Sequence, residues 1–140
     1  EADLTEFNRL GDNLATQYST IEVLPETFIN GKFTLGENIG DVGGIHASYD
    51  ALKLHFDTHG KPDPIDGFSA EERFFLSWGT IWRAKIRDEA LKNQVKTDPH
   101  SPGIQRAMQP LKNMDAFYAT FDVKEGDAMY LKPKDRVYIW

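Results

Sequence analysis

Two carboxylates in the first half of the chain have the spacing of groups that act together on a metal ion. Glu37 and Asp41 lie four residues apart in the segment 34–44, which reads TLGENIGDVGG. On an α-helix this separation places both side chains on one face, at adjacent turns. A glycine costs a helix up to about 1 kcal/mol relative to alanine, so four glycines beside the carboxylates favour close packing or ligand access. The spacing predicts a metal ligand and a supporting carboxylate.

Glu37 also has a purely structural interpretation. Thr34 and Glu37 have the Thr-x-x-Glu spacing of a capping box, in which the glutamate reaches back to a backbone N–H group. A capping glutamate needs no metal, and the spacing alone is compatible with both roles.

A second polar segment, 97–106 or TDPHSPGIQR, places a histidine and an arginine among turn-forming residues. Loops that carry such side chains often contact substrates, so His100 and Arg106 are candidates for the other half of the same active site. The alternative is an ordinary surface loop in which Arg106 pairs with Asp98.

The other three histidines are weaker candidates. His55 and His59 have the i, i+4 separation of a zinc-binding helix but lack the glutamate that follows the first histidine in such helices. The helix dipole already favours a histidine at a helix end, although a site with Asp57 remains an alternative. His46 is expected to be packed or half-exposed.

Composition limits the class of protein. The 140 residues are 40% hydrophobic and 12% aromatic, which suits one globular domain, and the net charge is −6 with scattered basic residues, which argues against nucleic-acid binding. No apolar run reaches the roughly 20 residues of a membrane-spanning helix. The absence of cysteine limits zinc ligands to imidazole and carboxylate groups. Neither a nucleophilic triad nor a phosphate-binding glycine loop is present.

Hydrophobic periodicity predicts a mainly α-helical fold. We expect an amphipathic helix over residues 3–18 with Asp3 as N-cap, a short hairpin or extended segment near residues 20–33, and a long helix over 35–59. Ser69 and Glu72 form a capping box that opens a further helix, whose apolar residues from Phe74 to Ile86 are expected to be mostly buried. The chain continues with a helix over 89–96, a loop over 97–110, a short helix over 114–121 and a docked apolar tail.

These residues resemble the carboxy-terminal catalytic region of the neprilysin-like zinc metallopeptidases, family M13, from about residue 18 onward. Segment 30–44 resembles that family's NGxxTLGENIADxGG segment, with Gly40 in place of the usual alanine. The family's next helix is resembled by residues 74–78 (FFLSW), 81–82 (IW) and Arg87. Segment 97–106 resembles the family's TDxHSPGxxR loop. Arg136, Val137 and Trp140 resemble its carboxyl end.

The resemblance implies a role for each candidate residue in peptide-bond hydrolysis by zinc-activated water. Glu37 would be the third protein ligand of one catalytic zinc, and Asp41 would accept a hydrogen bond from a zinc-bound histidine. His100 would stabilise the oxyanion of the tetrahedral intermediate, and Arg106 would hold a backbone carbonyl of the peptide substrate. A zincin-type catalytic domain is the fold implied.

The family's His-Glu-x-x-His motif does not occur in these 140 residues. We therefore expect a single domain, 1–140, that is the carboxy-terminal part of a catalytic domain, inactive alone and binding zinc weakly or not at all. Its partners would be the remainder of the peptidase chain or a second copy of itself. The lack of cysteine departs from the disulfide-rich animal members of the family and resembles the bacterial ones. We expect a bacterial protein in an extracytoplasmic location, with a cytoplasmic location as the alternative. The alternative function is a non-catalytic helical binding module in which Glu37 only caps its helix.

Overall fold

Six α-helices and one short hairpin make up the part of the chain that the computed structural model describes, residues 1–139. The mainly helical prediction is confirmed. The elements are α1 (Ala2–Ser19), β1 (Glu22–Leu24), β2 (Thr27–Phe28), α2 (Leu35–His59), α3 (Ala70–Ile81), α4 (Asp88–Thr97), α5 (Gly103–Met108) and α6 (Asp115–Phe121), with single 3-10 turns at Leu111–Asn113 and Pro133–Asp135. None of the described helices is long and apolar enough to span a membrane.

The first helix and the hairpin lead into α2. Helix α1 begins at Ala2, so the prediction of Asp3 as N-cap is wrong. Asp3 lies in the first turn, where its negative charge interacts favourably with the helix dipole. The predicted hairpin is confirmed: β1 and β2 pair antiparallel around a turn in which Glu26 has a φ of 59°. A Cβ on Gly31 would lie 1.9 Å from the Ala15 carbonyl oxygen, so only glycine permits this close approach to α1.

One apolar core joins α1, α2 and the end of the chain. Its buried members are Leu14, Tyr18, Ile29, Val42, Val137 and Ile139. The predicted docking of the apolar tail is therefore confirmed for Val137 and Ile139, while Trp140 lies outside the described residues. Because this core packs α1 against α2, it fixes the orientation of the helix that carries Glu37 and Asp41.

A second core joins α2 to α3 and α6. It consists of Ile45, Phe75, Leu111, Met114, Phe117 and Tyr118. The Ser69 capping box is confirmed: Ser69 Oγ accepts from Glu72 N at 3.1 Å, and Glu72 Oε2 accepts from Ser69 N at 2.6 Å. The expected burial holds fully only for Phe75, while Phe74, Trp78 and Trp82 are half-buried. It is wrong for Ile81 and Ile86, which are 68% and 44% exposed, because α3 ends at Ile81 and the following residues leave the helix.

The segment after α4 is not wholly a loop. Helix α4 confirms the prediction for 89–96 and α6 the one for 114–121, but α5 occupies Gly103–Met108 within the predicted loop. Pro102 lies just before the first turn of α5, and Pro110 lies after its last turn. Proline at either place is compatible with a helix. The prolines therefore mark the ends of α5 rather than its absence.

Candidate active site

A buried chain of polar side chains fastens the segment after α4 to the start of α2. Ser101 Oγ donates to Asn38 Oδ1 at 2.8 Å, and Asn38 Nδ2 donates to Thr34 Oγ1 at 2.9 Å. Thr34 Oγ1 in turn donates to the Asn30 carbonyl at 3.2 Å. All three linked side chains, Thr34, Asn38 and Ser101, are buried, so each bond satisfies a group that water does not reach. This series of hydrogen bonds brings residues 98–106 beside Glu37.

The capping-box interpretation of Glu37 is wrong. Thr34 makes no side-chain cap bond, because its hydroxyl is occupied by Asn30 and Asn38. The Thr34 N–H group donates to the Asn30 carbonyl, so it does not need the Glu37 carboxylate. Glu37 is instead half-exposed and directed toward the segment after α4.

His100 lies between two carboxylates. Its Nε2 is 3.1 Å from Glu37 Oε2, and its Nδ1 is 2.7 Å from Asp98 Oδ1. Asp98 Oδ1 also accepts from the His100 backbone N–H at 2.9 Å. Both hydrogen bonds lower the pKa of Asp98 below its usual range, and the bond from the backbone N–H has the larger effect. Asp98 thus holds the ring with Nε2 toward Glu37.

Arg106 and Asp41 form an ion pair deeper in the site. Arg106 Nε donates to Asp41 Oδ2 and Nη2 to Asp41 Oδ1, both at 2.7 Å, which is the bidentate geometry of strong arginine–carboxylate pairs. The side chains are only 16% and 7% exposed. The alternative of an Arg106–Asp98 pair is wrong, because Asp98 bonds to His100. Asp41 raises the pKa of Arg106 through these hydrogen bonds.

Two tryptophans of the α3 region hold Arg106 from the other side. The Arg106 guanidinium carbon lies 3.9 Å from the centre of the Trp82 ring, and Trp78 Nε1 donates to the Arg106 carbonyl at 3.1 Å. The sequence predicted these aromatic residues as core and missed this contact, although arginine commonly stacks on tryptophan. A Cβ on Gly103 would lie 2.8 Å from the Trp82 carbonyl oxygen, so glycine is required for α5 to pack this closely against Trp82.

The remaining histidines do not join this site. His55 and His59 stack on one another at the exposed end of α2, with ring centres 4.4 Å apart. Among residues 1–139, no group of three or more histidine, aspartate or glutamate side chains is arranged to hold a metal ion, which contradicts the alternative site with Asp57. His46 is half-buried against Tyr138, as expected, with ring centres 4.7 Å apart.

The predicted half-sites therefore meet, and their groups differ in depth. Asp41 and Arg106 are largely buried, whereas the Glu37 and His100 side chains are 45% and 43% exposed. Arg106 uses two of its five N–H donors on Asp41, which leaves donors for a ligand. Glu37 makes no capping hydrogen bond, so its carboxylate could bind a metal ion. The described residues would supply only part of the coordination shell.

Comparison with known proteins relates this chain to a family. The sequence model of Peptidase family M13 matches residues 1–137. A neutral endopeptidase of Lactobacillus helveticus is 34% identical over 140 residues, which is all of this chain and 20% of that protein. A neutral endopeptidase of Lactococcus lactis subsp. lactis is 40% identical over 111 residues, or 79% of this chain and 16% of that protein.

Solved structures give the same result for the fold. The crystal structure of Mycobacterium tuberculosis zinc metalloprotease ZMP1 in complex with inhibitor superposes with a TM-score of 0.91 and 39% identity, over 97% of this chain and 22% of that one. PepO from Lactobacillus rhamnosis superposes with a TM-score of 0.80 and 30% identity, over 99% of this chain and 20% of that one. The chain thus spans about a fifth of the length of the relatives it matches.

Proposed function

Because this chain belongs to peptidase family M13, we propose that residues 1–140 form the carboxy-terminal part of the catalytic domain of a zinc metalloendopeptidase. The observation that carries the proposal is the meeting of Glu37, His100, Asp41 and Arg106 at one place, although the members of each contacting pair lie more than 60 positions apart in the sequence.

Glu37 is proposed as one protein ligand of the zinc ion. Its carboxylate projects from the first turn of α2, is half-exposed and makes no capping bond. The remaining ligands and the general base would come from a His-Glu-x-x-His segment elsewhere in the polypeptide. When bound, zinc lowers the pKa of its water and polarises a carbonyl group, which is the chemistry required to hydrolyse a peptide bond.

Asp41 and Arg106 are proposed to position groups on the two sides of that ion. A carboxylate offers about four lone-pair sites, and Arg106 occupies two of those on Asp41, so Asp41 retains capacity for the N–H of a zinc-bound histidine. The free N–H groups of Arg106 would donate to a backbone carbonyl of a peptide. The Trp82 ring and Asp41 restrict the guanidinium before any peptide arrives.

His100, with both ring nitrogens protonated, is proposed to donate from Nε2 to the oxyanion that develops during attack on the peptide carbonyl. Asp98 accepts from Nδ1 and so leaves Nε2 directed toward the Glu37 carboxylate. A donor placed where negative charge develops contributes to catalysis because it needs no reorganisation during the reaction.

The remainder of the peptidase chain is the proposed partner of the open side of α2. Gly36, Gly40 and Gly44 are exposed, and a Cβ built on any of them would meet no atom within 4 Å. Large apolar side chains elsewhere are also exposed, including Leu54 at 66% and Ile104 at 62%. These surfaces support close packing of further chain or, without it, self-association. We propose a bacterial, extracytoplasmic setting, in keeping with the cysteine-free sequence and the bacterial relatives.

The test is a metal and activity measurement on the full-length parent protein. We expect one zinc per chain and chelator-sensitive peptide cleavage in the wild type, and loss of both in Glu37→Val. Glu72→Gln is the matched control: it weakens the capping box of α3 but should retain zinc and activity. A parent reading frame without His-Glu-x-x-His, or a Glu37→Val protein with full zinc content, would refute the proposal.

A further inference from the structure

Three cationic side chains follow one another closely after the end of α3. Residues 83–87 read RAKIR, so Arg83, Lys85 and Arg87 alternate with apolar residues, and no carboxylate lies between them. All three are exposed, and within residues 1–139 their side chains make no hydrogen bond or ion pair. We call these three residues the basic strip. In a chain of net charge −6, this local positive charge is available to an anionic group from outside the chain.

The basic strip begins beside Arg106. Trp82, the residue before Arg83, stacks on the Arg106 guanidinium at 3.9 Å. Arg83 also lines a cavity of about 710 Å³ together with Ile104 and Ala107, which lie on either side of Arg106 in the sequence of α5. Because consecutive Cα atoms are about 3.8 Å apart, the strip starts one short step from the stacking partner of the proposed peptide-binding arginine.

The spacing of the three cations suits an extended peptide. Segment 83–87 lies between α3 and α4 outside any helix or strand, and Arg87 at its end has an extended backbone with φ −75° and ψ 148°. In extended chains alternate residues share one side, and the chain advances by about 3.3 Å per residue. Cations at alternate positions therefore match the spacing of alternate side chains on an extended peptide.

We propose that the basic strip makes the site prefer peptides that carry aspartate or glutamate on the side of the scissile bond held by Arg106. The net negative charge of the chain otherwise disfavours an acidic peptide, and the strip offsets this where the peptide lies. Each exposed ion pair of this kind contributes modestly, up to about 5-fold in affinity, so the preference depends on two or more contacts together. This inference rests on the proposed role of Arg106 in peptide binding.

The test compares fluorogenic peptides that differ only in two positions, which hold aspartate in one peptide and asparagine in the other. The pair of positions is placed on one side of the scissile bond and then on the other. For the full-length parent we expect the KM of the aspartate peptide to be about 5- to 20-fold lower on one side only, with kcat nearly equal, because such contacts act alike on ground and transition states. The preference should shrink as salt rises to about 1 M, where the screening length is about 3 Å.

The decisive variant is Arg83→Gln combined with Lys85→Gln, which removes two charges from exposed side chains. The aspartate preference should fall below about 2-fold, while the KM of the asparagine peptide and the Tm stay unchanged. Lys132→Gln combined with Lys134→Gln is the matched control, because these residues are also exposed cations two positions apart without an ion pair in the described part of the chain. The control should keep the full preference.

Three results would overturn the inference. The first is equal KM values of the wild type for the aspartate and asparagine peptides, and the second is a preference that survives in the Arg83→Gln, Lys85→Gln protein or is lost equally in the control. The third is a Tm that falls by several degrees in the Arg83→Gln, Lys85→Gln protein, because the strip would then pack against an acidic surface of the remaining parent chain.

The proposed function and this inference can fail separately. Binding of the same peptides to zinc-stripped proteins, measured by calorimetry, requires no turnover. A parent that binds the aspartate peptide more tightly but cleaves neither peptide would refute the peptidase function and support the basic strip. A parent that cleaves both peptides with equal KM would do the opposite. A wild-type protein that binds neither peptide would refute both.

Discussion

Arg106 donates two hydrogen bonds of 2.7 Å to Asp41, and these two residues lie 65 positions apart in the sequence. The pair joins α5 to the second turn of α2, and the Trp82 ring covers the guanidinium. The proposed metal side and the proposed substrate side of the site therefore share one rigid contact.

Arg106→Lys should reduce kcat/KM of the full-length parent by about 10- to 100-fold, the effect of losing one charge-assisted hydrogen bond. Lysine retains the charge, but its ammonium cannot make the planar bidentate contact or stack on Trp82. Steady-state kinetics with a fluorogenic peptide measures the change. Arg9→Lys, at an exposed position on α1, is the control, and equal activity of all three proteins would contradict the assignment.

Much of the fold followed from local patterns, and the errors arose where distant residues compete. The apolar stripe over residues 35–59 and Gly60 after it predicted the limits of α2. The capping box at Ser69 predicted the start of α3. The same spacing at Thr34 and Glu37 did not form a box, because Asn30 and Asn38 occupy the threonine hydroxyl. Asn38 is in turn fixed by Ser101, 63 residues away, which no local pattern reveals.

The candidate site was predictable in its residues but not in its pairings. Glu37, Asp41, His100 and Arg106 do lie together, yet the side-chain contacts join Glu37 to His100 and Asp41 to Arg106. Nothing in the sequence indicates that Trp82 would adjoin the site, because Trp82 fits the apolar periodicity of the α3 segment. Such contacts depend on how α1, α3 and α5 pack around α2.

Ser101→Ala should destabilise the 140-residue chain by about 1–3 kcal/mol. The substitution leaves Asn38 Oδ1, in a fully buried side chain, without its donor. Urea unfolding followed by circular dichroism measures the difference. Ser48→Ala is the control: its exposed hydroxyl bonds only to the Gly44 carbonyl one turn earlier, so stability should change little.

Gly103→Ala should destabilise the chain by about 1–3 kcal/mol and lower the activity of the parent. The added Cβ would lie 2.8 Å from the Trp82 carbonyl oxygen, so α5 and Arg106 must shift away from α3. Gly40→Ala is the matched control, because a Cβ there meets nothing within 4 Å and alanine favours the helix by up to about 1 kcal/mol. Thermal unfolding compares them, and equal Tm values for the two variants would be inconsistent with the packing described.

His46 should make the stability of the chain depend on pH. Burial against Tyr138 lowers the pKa of His46, and the carboxylates of Asp50 and Asp115 oppose the shift only partly. The unfolded chain therefore takes up a proton first as the pH falls from about 7.5 to about 5.5, and stability should fall over that range. His46→Gln should reduce the slope, whereas His55→Gln, exposed on the same helix, should not. Urea unfolding at several pH values gives the slopes.

The difference in depth between the Glu37–His100 contact and the Asp41–Arg106 pair also determines how the site responds to ionic strength. Dissolved ions screen charges that face water far more than charges inside the protein. Added salt should therefore loosen the contact between Glu37 and a protonated His100, which are nearly half-exposed, while the contact between Asp41 and Arg106 persists. The outer half of the site is thus open to adjustment by its surroundings, and the inner half keeps its geometry.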